Sequence, residues 1–152
     1  EPFLEGDEEP PDPQSYSTFF KSKLNFALHE HNHHRVLWRF YQRLMHLRKN
    51  VPALRNLSKT QMEVTEDAEA EMMTVRRWHE DSQALIFYNF HNEAFAAALP
   101  AGDWTLALDS CAPEWKKDGT GVQAERAVQD KKSIILQSKS VVVLTASNEG
   151  AH

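Results

Sequence analysis

Residues 12–54 read DPQSYSTFFKSKLNFALHEHNHHRVLWRFYQRLMHLRKNVPAL, and this stretch decides the fold. It opens on prolines, passes through a Thr-Phe-Phe-Lys-Ser-Lys-Leu turn and becomes one long amphipathic run that stops at Pro52. Leu37, Phe40, Leu44, Leu47 and Val51 lie three and four residues apart in alternation. That is one stripe of a 3.6-residue helix, so the spacing predicts a helix over residues 33–50. Val36, Trp38, Tyr41 and Met45 widen the stripe until more than one face asks to be covered. Asn32 is the expected N-cap, because its side-chain oxygen can accept from an unpaired N–H of the first turn. His46, Arg48 and Lys49 put positive charge in the last turn, where it complements the helix dipole. Pro52 has no N–H to continue the ladder.

Upstream, residues 1–13 hold four of the seven prolines and six acids with no base. Such a segment stays extended. It reads as a frayed end or as a strap across a neighbouring domain. Phe19, Phe20, Leu24, Phe26 and Leu28 are too many apolar groups for a free loop, so they must pack on something. A turn or short helix is expected there, with Ser17 or Thr18 as its cap.

Downstream of Met62 the period changes from helical to alternating. Residues 71–80 read as a strand with Met72, Thr74, Arg76 and Trp78 on one side. Residues 84–91 are a dense run of β-formers, and 93–99 follow a tight connection at Asn92. After a turn at 100–103, Trp104, Leu106 and Leu108 alternate with Thr105, Ala107 and Asp109. Residues 110–121 are a loop, and 122–128 and 132–137 are further strands. Residues 140–146 (SVVVLTA) are the most apolar strand and belong at the centre of a sheet. Short strands at this spacing predict a mainly β fold, an antiparallel β-sandwich preceded by one long α-helix. The expected division is residues 1–55 and 56–152.

A chain of 152 residues holds a β-sandwich of ~100 residues with about 50 to spare. It is too short for a (β/α)₈ barrel of ~250 residues. The net charge of -5 argues against a nucleic-acid partner. No run approaches the ~20 apolar residues of a membrane span, and the acidic start is no secretory signal. Cys111 stands alone, which fits a reducing, cytoplasmic home. The chain begins at Glu1 rather than Met, and is expected to be a piece of a longer protein.

His29-Glu30-His31-Asn32-His33 fits the H-E-x-x-H pattern of zinc hydrolases, which needs both histidines on one helix face and a third ligand. With the helix starting near Asn32, His29 falls outside it, so the segment reads as a solvated linker and no metal site is expected. Arg35, Arg39, Arg43, Arg48 and Lys49 read as the exposed face of an amphipathic helix. Among the tryptophans, Trp78 and Trp104 alternate into the core, whereas Trp115 lies in a loop with Lys116, Lys117 and Asp118 and is the candidate carbohydrate contact. There is no catalytic Ser/His/Asp or Cys/His grouping, no glycine-rich phosphate loop, and no carboxylate at the end of a barrel strand where a glycosidase pair would be mounted. No catalytic residue and no cofactor is expected.

Two segments carry a family resemblance. Pro11-Asp12-Pro13-Gln14, Thr18-Phe19 and Ser22-Lys23-Leu24-Asn25-Phe26 are similar to the PDPQ…TF…SKL segment near the end of the catalytic barrel in the malto-oligosyltrehalose trehalohydrolase family of the α-amylase superfamily. Residues 44–54 (LMHLRKNVPAL) resemble the L-x-x-L-R-x-x-x-P-x-L end of that barrel's last helix. Residues 84–99, 102–110 and 140–144 fall where the strands of the family's C-terminal β domain are expected. Phe26 stands where Trp is usual, Ser15-Tyr16 replaces an acidic continuation, and the HEHNHH spacer is unusual.

The resemblance implies that the long helix is the last helix of a (β/α)₈ barrel and that the β domain follows it. It implies a parent enzyme that hydrolyses the α-1,4 bond next to the terminal trehalose of maltooligosyl-trehalose. The family's catalytic carboxylates lie on earlier barrel strands, so none is carried over. The implied partners are the remaining barrel and the α-glucan substrate. Two other readings stand beside it: a stand-alone carbohydrate-binding or interaction β-sandwich module, and the C-terminal domain of another α-amylase relative such as a branching enzyme. The discriminator is whether the apolar groups of residues 19–47 are buried within the chain. If they are not, weak self-association into a homodimer is the expectation.

Overall fold

A computed structural model describes residues 11–128 and 132–147. Most of the acidic segment at residues 1–13 lies outside the described residues. The helical part comprises α1 (Tyr16–Ser22), a 3₁₀ turn (Phe26–Glu30), α2 (Asn32–Asn50) and α3 (Pro52–Arg55). Eight strands follow: β1 (Met62–Asp67), β2 (Met72–His79), β3 (Ser82–Asn89), β4 (Phe95–Ala98), β5 (Thr105–Asp109), β6 (Arg126–Ala127), β7 (Ser133–Leu136) and β8 (Ser140–Ser147).

The helix limits follow from the backbone chemistry. Val51 N–H donates to the Leu47 carbonyl at 3.0 Å and Pro52 opens α3, where its missing N–H costs nothing. At the other end the cap is His31, in extended conformation, and Asn32 is the first helical residue. The preceding 3₁₀ turn dictates this shift. It closes with His31 N–H on the Leu28 carbonyl at 3.0 Å, which leaves His31 as the link between the two helices. Neither Ser17 nor Thr18 caps α1; Ser15 holds that position, and its hydroxyl bonds Ser17 Oγ at 2.7 Å.

All paired strands are antiparallel. Six form one sheet in the order β1-β2-β3-β8-β5-β6, and β4 pairs with β7 in a small second sheet. The apolar strand over residues 140–146 is central, as its composition predicts. Its two faces are buried against different things. On one face Leu85, Phe87, Leu106, Val142 and Leu144 pack with Trp104 and with Ala97 of β4 and Leu136 of β7. On the other, Ala107, Leu108 and Val143 pack with Leu47, and Phe40, Leu44, Val51 and Ile86 close around them. The molecule is therefore three layers: helix α2, the six-stranded sheet, and the two-stranded sheet.

A β-bulge in β5 corrects the alternation read from the sequence. Leu106 pairs with Leu144 and Leu108 with Val143, so Ala107 is skipped by the ladder. The extra residue turns Leu108 to the helix side while Leu106 stays on the side of the small sheet. Trp104, Leu106 and Leu108 are all buried, but not on one face.

The expected stripe on α2 holds at Phe40, Leu44, Leu47 and Val51, but at its N-terminal end Val36 takes the place of Leu37. Val36 and Leu47 are 3% and 4% exposed, while Leu37 is 52% exposed. Arg43 borders this face and reaches the sheet. Its Nε and Nη2 donate to the carbonyl of Ala107 at 3.1 and 2.8 Å, and Nη2 also meets Glu125. The loop after β5 then lies close along the helix. Gly121 sits at φ +66° with the position of an added Cβ only 2.7 Å from Arg39 Cδ and 3.5 Å from Val36 Cα, so no side chain fits there. Arg39 Nη1 donates to the Thr120 carbonyl. These contacts tie Thr120, Gly121 and Glu125 to the helix, and of the strand expected over 122–128 only Arg126–Ala127 pairs with β5.

Candidate functional site

Trp115 sits in a 3₁₀ turn, Pro113–Trp115, between β5 and β6. It is half-buried rather than exposed. Its ring meets Phe40 of α2 edge-on, with centroids 5.2 Å apart, and its Nε1–H donates to Gln123 Oε1 at 3.2 Å. The same oxygen accepts Asp109 N–H at 2.9 Å, and Asp109 Oδ1 accepts Cys111 N–H at 2.9 Å. The turn is closed by Gly121 N–H on the Glu114 carbonyl and Gly119 N–H on the Lys116 carbonyl, both at 2.8 Å. An added Cβ at Gly119 would lie 2.2 Å from that Glu114 carbonyl oxygen, so the turn closes only around glycine.

Beside this turn is a cleft of about 770 Å³ whose wall includes Asp109, Trp115, Gln123, Arg126, Gln137 and Ser138. It is more polar than its aromatic member suggests. The sequence pointed to Trp115 but not to its companions, because residues 110–125 carry no periodicity and Gln123 was read as part of a strand. On the helix side of Trp115 a second, apolar hollow is lined by Val36, Leu37, Phe40 and Lys117.

The exposed tryptophan of the chain is Trp38, at 51%. It stands on α2 with Leu37, Tyr41 and Met45, all exposed. At ~100° per residue this second face is centred roughly a third of a turn from the face that packs on the sheet. Tyr16, Phe19, Phe20, Leu24 and Phe26 are exposed as well. Among them Tyr16 meets Phe20 at 4.4 Å and Phe19 meets Phe20 at 5.7 Å between ring centroids. The apolar groups of residues 19–47 are thus only partly buried within the described chain.

The structure divides the H-E-x-x-H pattern. His29 belongs to the 3₁₀ turn and His33 to α2, with extended His31 between them. His29 Nδ1 is occupied by the Phe26 carbonyl, and Nε2 lies 3.7 Å from Glu30. Among the described residues no group of three His, Cys, Asp or Glu side chains is placed to hold a metal ion. Trp104 is buried with Nε1–H on the Pro100 carbonyl at 3.0 Å, and Trp78 lies under the guanidinium of Arg76 at 5.9 Å. No helix among the described residues is long and apolar enough to cross a membrane.

No family model matches the chain. Over 91 residues, 60% of its length, it is 31% identical to the malto-oligosyltrehalose trehalohydrolase of Deinococcus radiodurans. The chain resembles malto-oligosyltrehalose trehalohydrolase. The match spans about 15% of that relative's length. Among solved structures, the trehalulose synthase MutB from Pseudomonas mesoacidophila MX-45 superposes with a TM-score of 0.53 at 22% identity, over 81% of this chain and 21% of that one. The MutB R284C mutant gives 0.52 at 22% identity, over 71% and 17%. At this identity the likeness speaks for the fold alone: a helix followed by an antiparallel β domain. The trehalohydrolase resemblance and the MutB superposition agree on a fragment-sized match within larger enzymes.

Proposed function

We propose that this chain is the closing part of a cytoplasmic trehalohydrolase, an enzyme of trehalose biosynthesis that releases trehalose from maltooligosyl-trehalose by hydrolysing an α-1,4-glucosidic bond. Within it, residues 1–55 complete the catalytic barrel and residues 56–152 form the C-terminal β domain. The chain itself is non-catalytic and supports the barrel. One observation carries this reading: α2 is apolar on two faces, and the sheet covers one of them. Leu37, Trp38, Tyr41 and Met45 on the second face, together with the aromatics of α1, form the kind of surface that a neighbouring protein layer covers. In a barrel enzyme that layer is the barrel itself. The likeness to the Deinococcus trehalohydrolase supports the choice of parent.

Incubation of the pure chain with maltooligosyl-trehalose is expected to yield no trehalose above a buffer blank. Sustained, heat-labile turnover by the chain alone overturns the reading. The uncovered face also makes the isolated chain self-associate weakly. Burying ~400 Å² of apolar surface at ~25 cal/mol/Å² contributes about 10 kcal/mol, against association costs of about 4–15 kcal/mol. Sedimentation across a wide concentration range is expected to show a dimer that forms only at high concentration. Trp38→Asp, which puts a charge on that face, is expected to leave a monomer. A strict monomer at millimolar concentration for the unaltered chain favours a module that stands alone.

A further inference from the structure

We infer that the cleft beside Trp115 is a binding site for a neutral oligosaccharide. The inference rests on the cleft and not on the trehalohydrolase reading. A volume of about 770 Å³ is the size of a pocket that takes an organic ligand of a few rings. Its chemistry selects the class. The side chains of Arg126 and Gln137 make no hydrogen bond to any described residue, and both line the cleft. Gln123 spends its carbonyl oxygen on Trp115 and Asp109, so its amide N–H₂ is left as donor. Asp109 gives one carboxylate oxygen to Cys111 and keeps the other as acceptor. Donors and acceptors thus stand together on one wall, with Asp109 and Glu114 balanced by Lys116 and Arg126.

A phosphorylated ligand meets two carboxylates there, and a cationic ligand meets two bases. A sugar ring brings hydroxyls that both donate and accept, and a C–H face that suits an indole. Trp115 is held in place by the bond from Nε1 to Gln123 and by Phe40 behind it, so its position is set before any ligand arrives. This lowers the ordering cost of binding.

The test is a titration of the intact chain with maltoheptaose, followed by the indole N–H resonance of Trp115 in a ¹⁵N spectrum, with glycerol at equal hydroxyl concentration as control. Saturable movement of the Trp115 signal with maltoheptaose and not with glycerol is expected. Arg126→Ala and Gln137→Ala are expected to weaken the affinity by about five- to tenfold each, a loss of roughly 1–1.4 kcal/mol per site. Both residues are exposed, so both variants are expected to fold with unchanged melting temperatures. No movement of Trp115 at millimolar maltoheptaose, or affinity unchanged in both variants, overturns the site. Movement with glycerol alike marks it as a nonspecific polar cleft and overturns it too. Neither outcome bears on trehalose release, which is measured separately.

Discussion

Leu144→Ala is expected to lower the unfolding free energy by about 2–5 kcal/mol and the melting temperature by on the order of 5–15 °C. Leu144 is fully buried in β8, the strand at the centre of the six-stranded sheet. It sits between Leu85 of β3 and Leu106 of β5 in register, and packs in the cluster that Ala97 and Leu136 of the small sheet close from above. Removing three carbons there leaves a cavity that well-paired strands cannot collapse to fill. Ile135→Ala is the control. Ile135 is a similar aliphatic residue in a strand but is exposed, so its truncation is expected to change stability by no more than about 0.5 kcal/mol. Urea denaturation of both variants measures the pair. A loss below ~1 kcal/mol for Leu144→Ala contradicts the layered core described above.

Arg43→Met is expected to cost about 1–3 kcal/mol, because it leaves the Ala107 carbonyl without its donor in a buried place. Ala107 is 1% exposed and the bulge takes it out of the ladder, so water does not replace the guanidinium there. The planar fork matters as much as the charge: two of its nitrogens converge on one oxygen. Arg43→Lys is therefore expected to recover less than half of the loss. Glu125→Gln removes the charge of the other partner, which is exposed, and is expected to cost less than about 1 kcal/mol. A larger effect at Glu125 than at Arg43 reverses the assignment, making the ion pair rather than the carbonyl the tie between helix and sheet.

Much of this arrangement was legible in the sequence, for identifiable reasons. Pro52 marks the end of α2 because a missing N–H acts locally, whatever the rest of the chain does. The apolar run over residues 140–146 marks the central strand because a strand covered on both sides has no polar face to show. The two-faced character of α2 was also visible, since Trp38, Tyr41 and Met45 widen the stripe beyond one face. What decided between its faces was not local. Val36 rather than Leu37 is buried because Gly121 and Arg43 dock the helix, and both contacts join residues far apart in the chain. The bulge at Ala107 leaves no mark in a sequence that alternates cleanly through it. β1 was missed because all six of its residues are exposed, so no face imposes a period. Trp115 was singled out for lying in a loop. Its half-burial depends on Phe40, and the cleft beside it on Gln123 and Arg126, which no spacing rule connects.

The strand order also sets a timetable for assembly. β1, β2 and β3 are successive hairpins that can close as soon as each is made. β8, the last described strand in the chain, is the one that enters between β3 and β5. Until it arrives, β3 and β5 present two open, apolar edges to each other across a gap, and the clusters on both faces of the sheet lack their middle members. A chain emerging from the ribosome thus carries this unfinished sheet through the synthesis of everything between β3 and β8. Open edges of this kind pair readily with other chains. Nascent chains stalled before residue 140 are the species on which chaperone capture or aggregation acts, and β8 closes the sheet when it arrives.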